Sequence, residues 1–200
     1  MSFAAANPWR LALLAILAFG AGGAFLRGQS DSGAGDQQGA EFPELLGYWD
    51  LATNAMNRAA DGNHGRIFGG AWFDGSAVVL NGRDACIDFP SSVTVTGSFS
   101  TAFWIAPAVT DRLMRVLGRF RVAGDNRDFG IFLHVENRLW VFLSEEGGLD
   151  RAILKATALP VGGAQEWRHV AATWDASQGS TGLVVYVDGQ AVPLADAQAS

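Results

Sequence analysis

Two residue types are nearly missing from this chain: it holds one cysteine, Cys86, and one lysine, Lys155. A lone thiol excludes an internal disulfide framework. Cys86 sits in Ala85-Cys86-Ile87-Asp88-Phe89, which reads as a strand, and the expectation is a small buried apolar filler. No cysteine lies near the N-terminus, so lipoprotein-type anchoring has no acceptor. Zinc is equally short of ligands, because His64, His134 and His169 lack metal-site spacing. Charge is scarce too, at 17% of residues with a formal net charge of -6. An acidic chain repels phosphate backbones, so nucleic acid is not an expected partner. The one basic cluster (Arg112, Arg115, Arg119, Arg121 and Arg127) is interleaved with Asp111, Asp125 and Asp128 and reads as a solvated mixed-charge surface. Also missing are an internal repeat, a Gly-x-Ser-x-Gly elbow, a phosphate-binding loop and, after residue 60, any long helical stripe.

What is present is apolar and turn-rich: 49% hydrophobic residues, 25 Gly and 7 Trp. Such a chain builds a core readily and favours strands over helices. Arg10 precedes an uncharged apolar run, Leu11 to Leu26, and Arg27 follows it. Residues 1–28 thus read as a hydrophobic leader helix, either a signal peptide cut near Gly22-Gly23-Ala24 or a retained signal anchor. It is the only expected membrane contact, and it places the remainder outside the cytoplasm. Residues 29–40 (QSDSGAGDQQGA) carry little apolar payload and read as a flexible linker. The folded domain is expected over 41–200.

Within that domain Leu51 to Ala60 is the one candidate for a short helix. Asp74-Gly75, Asn81-Gly82 and Asp188-Gly189 mark tight turns. Phe99, Thr101, Phe103 and Ile105 alternate along a strand that Pro107 ends. Phe129 to Val135, a turn at Glu136-Asn137 and Arg138 to Leu143 make a hairpin. Trp167 to Trp174 and Leu183 to Val187 are two further strands. Strands at regular spacing without intervening helices indicate an all-β, antiparallel two-sheet sandwich.

The order of five stretches carries a family resemblance. They are Asp61-Gly62-Asn63-His64-Gly65; Gly70-Ala71-Trp72-Phe73-Asp74-Gly75 with Ile87-Asp88-Phe89-Pro90; the aromatic strand Phe99 to Pro107; Glu166-Trp167-Arg168-His169-Val170-Ala171-Ala172-Thr173-Trp174-Asp175; and Val185-Tyr186-Val187-Asp188-Gly189. Together they resemble the laminin-G-like jelly-roll domains of the concanavalin A-like lectin and glucanase superfamily, over about Leu46 to Val192. That family continues with closing strands, whereas this sequence stops at Ser200, so either the strand order differs or the expected jelly roll is a fragment that lacks its C-terminal closing strands. The resemblance implies a binding module and a structural calcium, for which Asp61 and Asn63, joined by Asp50, are the candidate ligands.

Glycoside hydrolysis would need two carboxyls flanking the scissile bond. Asp84 and Asp88 share a face of one strand but read as surface residues at its ends, and the adjacent Glu145 and Glu146 would point to opposite faces. His169 shares a face with Trp167 and Ala171 and reads as a core histidine with a backbone partner. For carbohydrate, Trp104, Trp140 and Trp174, with Phe142, are the candidate platforms, set against plain core packing. The expected function is a non-catalytic, exported recognition module, secreted or membrane-anchored, whose partner is a glycan or a cell-surface protein. The other reading is a structural spacer or accessory domain of a larger exported protein.

Overall fold

In the computed structural model the described residues are 9–18, 44–59, 62–89, 97–107, 113–121, 126–144, 153–158, 160–162 and 165–196. They form the strands β1 Trp9–Ala18, β2 Glu44–Trp49, β3 Arg66–Phe68, β4 Trp72–Phe73, β5 Val78–Leu80, β6 Cys86–Asp88, β7 Phe99–Ala106, β8 Met114–Arg121, β9 Asn126–Leu133, β10 Leu139–Leu143, β11 Ile153–Thr157, β12 Arg168–Trp174, β13 Leu183–Val187, β14 Gln190–Val192 and β15 Leu194–Asp196. One sheet runs β14-β13-β12-β7-β1-β5-β4, with β2 also paired to β1; a second runs β15-β11-β10-β9-β8; β3 and β6 make a separate ribbon. The two larger sheets form a sandwich.

Period-two alternation places the core. Along β7, Phe99, Thr101, Phe103 and Ile105 are buried while Trp104 is exposed. Phe103 and Ile105 meet Val170 and Val185 of their own sheet's inner face and Ile131, Leu133, Leu139 and Leu143 from the other sheet in one cluster. Full burial of each such side chain is worth about 1.5–3 kcal/mol.

Turn chemistry sets the hairpins. Asp188 (φ 50°) and Gly189 (φ 79°) are both left-handed, as a two-residue hairpin loop between Val187 and Gln190 requires. Asp74 accepts backbone N–H bonds from Ser76 and Ala77, and Asn81 accepts them from Arg83, Asp84 and Ala85. The predicted β9–β10 hairpin is present, turning through a short 3-10 segment at Val135–Asn137.

Three local expectations are corrected. Trp9–Ala18 is not a helix but β1. It lies inside the large sheet, with β7 on one side and β2 and β5 on the other. An uncharged apolar run such as residues 11–18 suits a strand inside a sheet as well as it suits a helix. Residues 1–8, 19–28 and the linker 29–40 lie outside the described residues. Leu51 to Ala59 is not helical either: Asp50, Asn54 and Asn57 each accept from the backbone N–H two residues on, and such local bonds compete with a helix. The mixed-charge stretch carries the edge strand β8, whose Arg115 is exposed, in keeping with a solvated surface, while Val116 is buried. Cys86 is exposed, because it pairs with Phe68 on the β3–β6 ribbon while its neighbours Ala85 and Ile87 turn to the core.

Candidate functional site

The three tryptophans expected to hold a ligand are not brought together. Trp174 is 6% exposed and packs in the core, edge-on to Phe99 with ring centroids 6.1 Å apart. Its indole N–H donates to the Gly179 carbonyl at 3.1 Å. Trp140 lies half-buried on the outer face of the five-stranded sheet. It stacks parallel on His134, at 4.1 Å between centroids and 5° between planes. Phe142, on the same face, is buried. Trp104 lies 41% exposed on the outer face of the other sheet.

Around Trp104 the pairing assembles a wider surface. His169 of β12 stands directly opposite Trp104, with ring centroids 5.2 Å apart. His169 is therefore on the outer face and half-buried, not a core histidine. Alternation puts Trp167, two residues before His169 and 38% exposed, on the same face. At the far side Trp72 of β4, 47% exposed, pairs with Val79 of β5. The register continues from Val79 through Arg10 of β1 to Ala106 of β7. Arg168, the first residue of β12, pairs with Ile105, so Trp167, just before the strand, follows beside Ala106. Trp72 and Trp167 lie about four strand spacings or roughly 19 Å apart, with the buried Val79 and Ala106 between them and Trp104 two residues along β7 from Ala106. Three exposed indoles share one face. Neither Trp72 nor Trp167 stands out as a binding residue in the sequence, because the strands that align them are distant along the chain.

The β12 end of this face is held by a carboxylate. Asp188 accepts the His169 backbone N–H at 2.9 Å and the Arg168 guanidinium at 3.0 Å, while its own N–H donates to the His169 carbonyl at 2.8 Å. The His169 N–H, helped by Arg168, holds the Asp188 carboxyl below the ordinary carboxylate range. Arg168 also pairs with Glu166 at 2.7 Å. Asp175, at the other end of β12, is likewise held low by the Ser177 hydroxyl and the Gln178 amide. Both shifts favour the ionised form, the opposite of what a general acid needs. Asp84 accepts from the Asn81 side chain in its turn, and Asp88 is exposed on the ribbon opposite Arg66.

The chain's match to known proteins agrees with this architecture. The family model described as the concanavalin A-like lectin/glucanases superfamily, laminin G type, matches residues 81–198. The chain belongs to this family. No curated protein and no solved structure matches it.

The calcium expected of a laminin-G-like domain can be tested against its ligands. Asp50 offers one carboxylate oxygen to the Ala52 N–H and the other to the Arg58 guanidinium at 3.2 Å. A guanidinium on that oxygen opposes a divalent cation there. Asn63, left-handed at φ 54°, accepts the Trp49 indole N–H on its backbone carbonyl at 3.1 Å. Asp61 lies outside the described residues. Among the described residues no three His, Cys, Asp or Glu side chains gather as a metal set. An apolar cleft lined by Thr157, Pro160, Val161, Val187, Val192 and Pro193 encloses about 160 Å³, under the roughly 300 Å³ at which small-molecule pockets begin.

Proposed function

We propose that this laminin-G-like domain is a non-catalytic recognition module, working outside the cytoplasm, that binds a carbohydrate chain across the outer face of its large sheet. The observation that carries the reading is the grouping of Trp72, Trp104 and Trp167 on one face, with His169 against Trp104. Indoles offer flat apolar area with a polar N–H at the rim, which suits a sugar's alternating C–H faces and hydroxyls. The spread of the three rings favours an extended chain over a single ring. The family is one of binding modules for glycans or protein surfaces.

The test is a glycan array with the full chain, followed by titration calorimetry on any oligosaccharide retained. Trp104→Ala and Trp167→Ala should each weaken binding on the order of tenfold, which an aromatic contact worth about 1–1.5 kcal/mol implies. Trp140→Ala should leave affinity unchanged. Silence across the array, or loss confined to Trp140→Ala, refutes this assignment of the face.

A further inference from the structure

Each large sheet carries a histidine–tryptophan pair on its outer face, and the two pairs differ in whether the indole is left open. On the five-stranded sheet His134 lies flat on Trp140, with 5° between planes and 4.1 Å between centroids. On the other sheet His169 meets Trp104 tilted by 58°, at 5.2 Å, and the indole stays 41% exposed. A stacked ring occupies an aromatic face, whereas a tilted one leaves it open to a flat partner. Trp104 therefore offers a platform with an imidazole at its side, and Trp140 does not.

The imidazole of His169 is also uncommitted. His64 spends its Nδ1 on the Asn57 backbone N–H at 3.1 Å. The bonds of His169 are main-chain: beyond its strand pairing, its N–H donates to Asp188 Oδ1 at 2.9 Å and its carbonyl accepts the Asp188 N–H at 2.8 Å. Neither ring nitrogen has a hydrogen-bond partner among the described residues. Asp188 thus grips the backbone of His169 from both sides while the ring keeps one donor and one acceptor for an outside group. Arg168, next along β12, donates to Asp188 Oδ2 at 3.0 Å and to Glu166 at 2.7 Å. One guanidinium bridging two carboxylates leaves a negative charge in excess beside His169. A carboxylate or sulfate brought to this end of the face meets that excess, and like-charge juxtaposition is costly.

We propose that His169 is the specificity-determining residue of the indole face: its ring hydrogen-bonds a hydroxyl of a sugar lying on Trp104, and the Glu166–Arg168–Asp188 network beside it selects uncharged hexopyranose chains over acidic ones. The inference rests on the carbohydrate reading above and names the sugar class and the polar contact that orients it. A hydroxyl both donates and accepts, as a neutral imidazole does. A site built to hydrogen-bond a hydroxyl discriminates more sharply than apolar contact alone.

The test measures calorimetric affinities of the full chain for cellohexaose, mannohexaose and any neutral oligosaccharide the array retains, against hexagalacturonic acid and a heparin hexasaccharide. A neutral chain should bind at least about tenfold tighter than either acidic one. His169→Phe keeps a ring beside Trp104 and removes both nitrogens; His169→Leu removes ring and nitrogens together. Whichever of the two melts as a folded protein should bind the neutral chain about five- to tenfold more weakly, as loss of one neutral hydrogen bond implies. His134→Phe should leave affinity unchanged. Acidic hexamers bound as tightly as neutral ones would overturn the inference and leave the carbohydrate face standing. So would folded His169 variants that bind like the unaltered chain while Trp104→Ala loses affinity. Silence of the unaltered chain on every sugar removes the carbohydrate reading itself, and this inference with it.

Discussion

Replacing Trp174 by Ala separates a core role from a binding role for this residue. A buried tryptophan of the size of Trp174, 6% exposed, removes about 150–250 Å² from water. At about 25 cal/mol per Å² that is about 4–6 kcal/mol, and compactness of the unfolded chain trims it to about 3–5 kcal/mol. The same range describes measured aromatic-to-Ala changes in cores. Loss of the indole bond to the Gly179 carbonyl adds about 1 kcal/mol. A loss near 4 kcal/mol is a large share of the 5–15 kcal/mol typical of a domain and lowers Tm by roughly 8–16 °C at this chain length. Trp104→Ala, on an open face, should change stability by less than about 1 kcal/mol. Urea denaturation followed by circular dichroism reads both variants side by side. A Trp174→Ala loss under about 1 kcal/mol, or one matched by Trp104→Ala, would refute the assignment of one indole to the core and the other to the surface.

Asp188→Asn should flatten the acid side of the stability profile. The folded carboxyl titrates below its unfolded range, so its contribution is present above about pH 4 and disappears as pH falls through the lowered value. Melting curves between pH 6 and pH 2.5 check this, and an unchanged slope counts against the Asp188–His169 linkage. Gly69→Ala places a Cβ 2.0 Å from the Asp84 carbonyl oxygen in a residue at φ 63°; backbone strain there and the forced movement of Asp84 should lower stability by at least about 2 kcal/mol, read by urea midpoint. Removing calcium with EDTA should leave Tm within about 1 °C, since Arg58 already neutralises Asp50; a large fall on chelation would restore Asp50 and Asn63, with Asp61, as ligands.

The strands with strong alternation were legible residue by residue. β7 follows the alternation of Phe99, Thr101, Phe103 and Ile105, and β13 spans the expected Leu183–Val187. The hairpin around Asn137, at φ 58°, was marked by turn chemistry. β1 was not legible, because a run without polar positions has no period to distinguish strand from helix. The indole face was hidden for another reason. Trp72, Trp104 and Trp167 come together only through pairings of β4 with β5, β5 with β1, and β7 with β1 and β12, and no local pattern encodes register across such separations. Cys86 went astray because the β3–β6 ribbon stands apart from both sheets and leaves one side of the strand in water.

The pairing of Ala18 with Phe99 sets a timetable for synthesis. When β1 leaves the ribosome its first partner, β2, is about 26 residues from being made, and β7 some eighty. At roughly 5–20 residues per second, the oily stretch waits about 1–5 seconds for β2 and about 4–16 seconds for β7. In that interval any factor that captures nascent apolar segments competes with the sheet for β1.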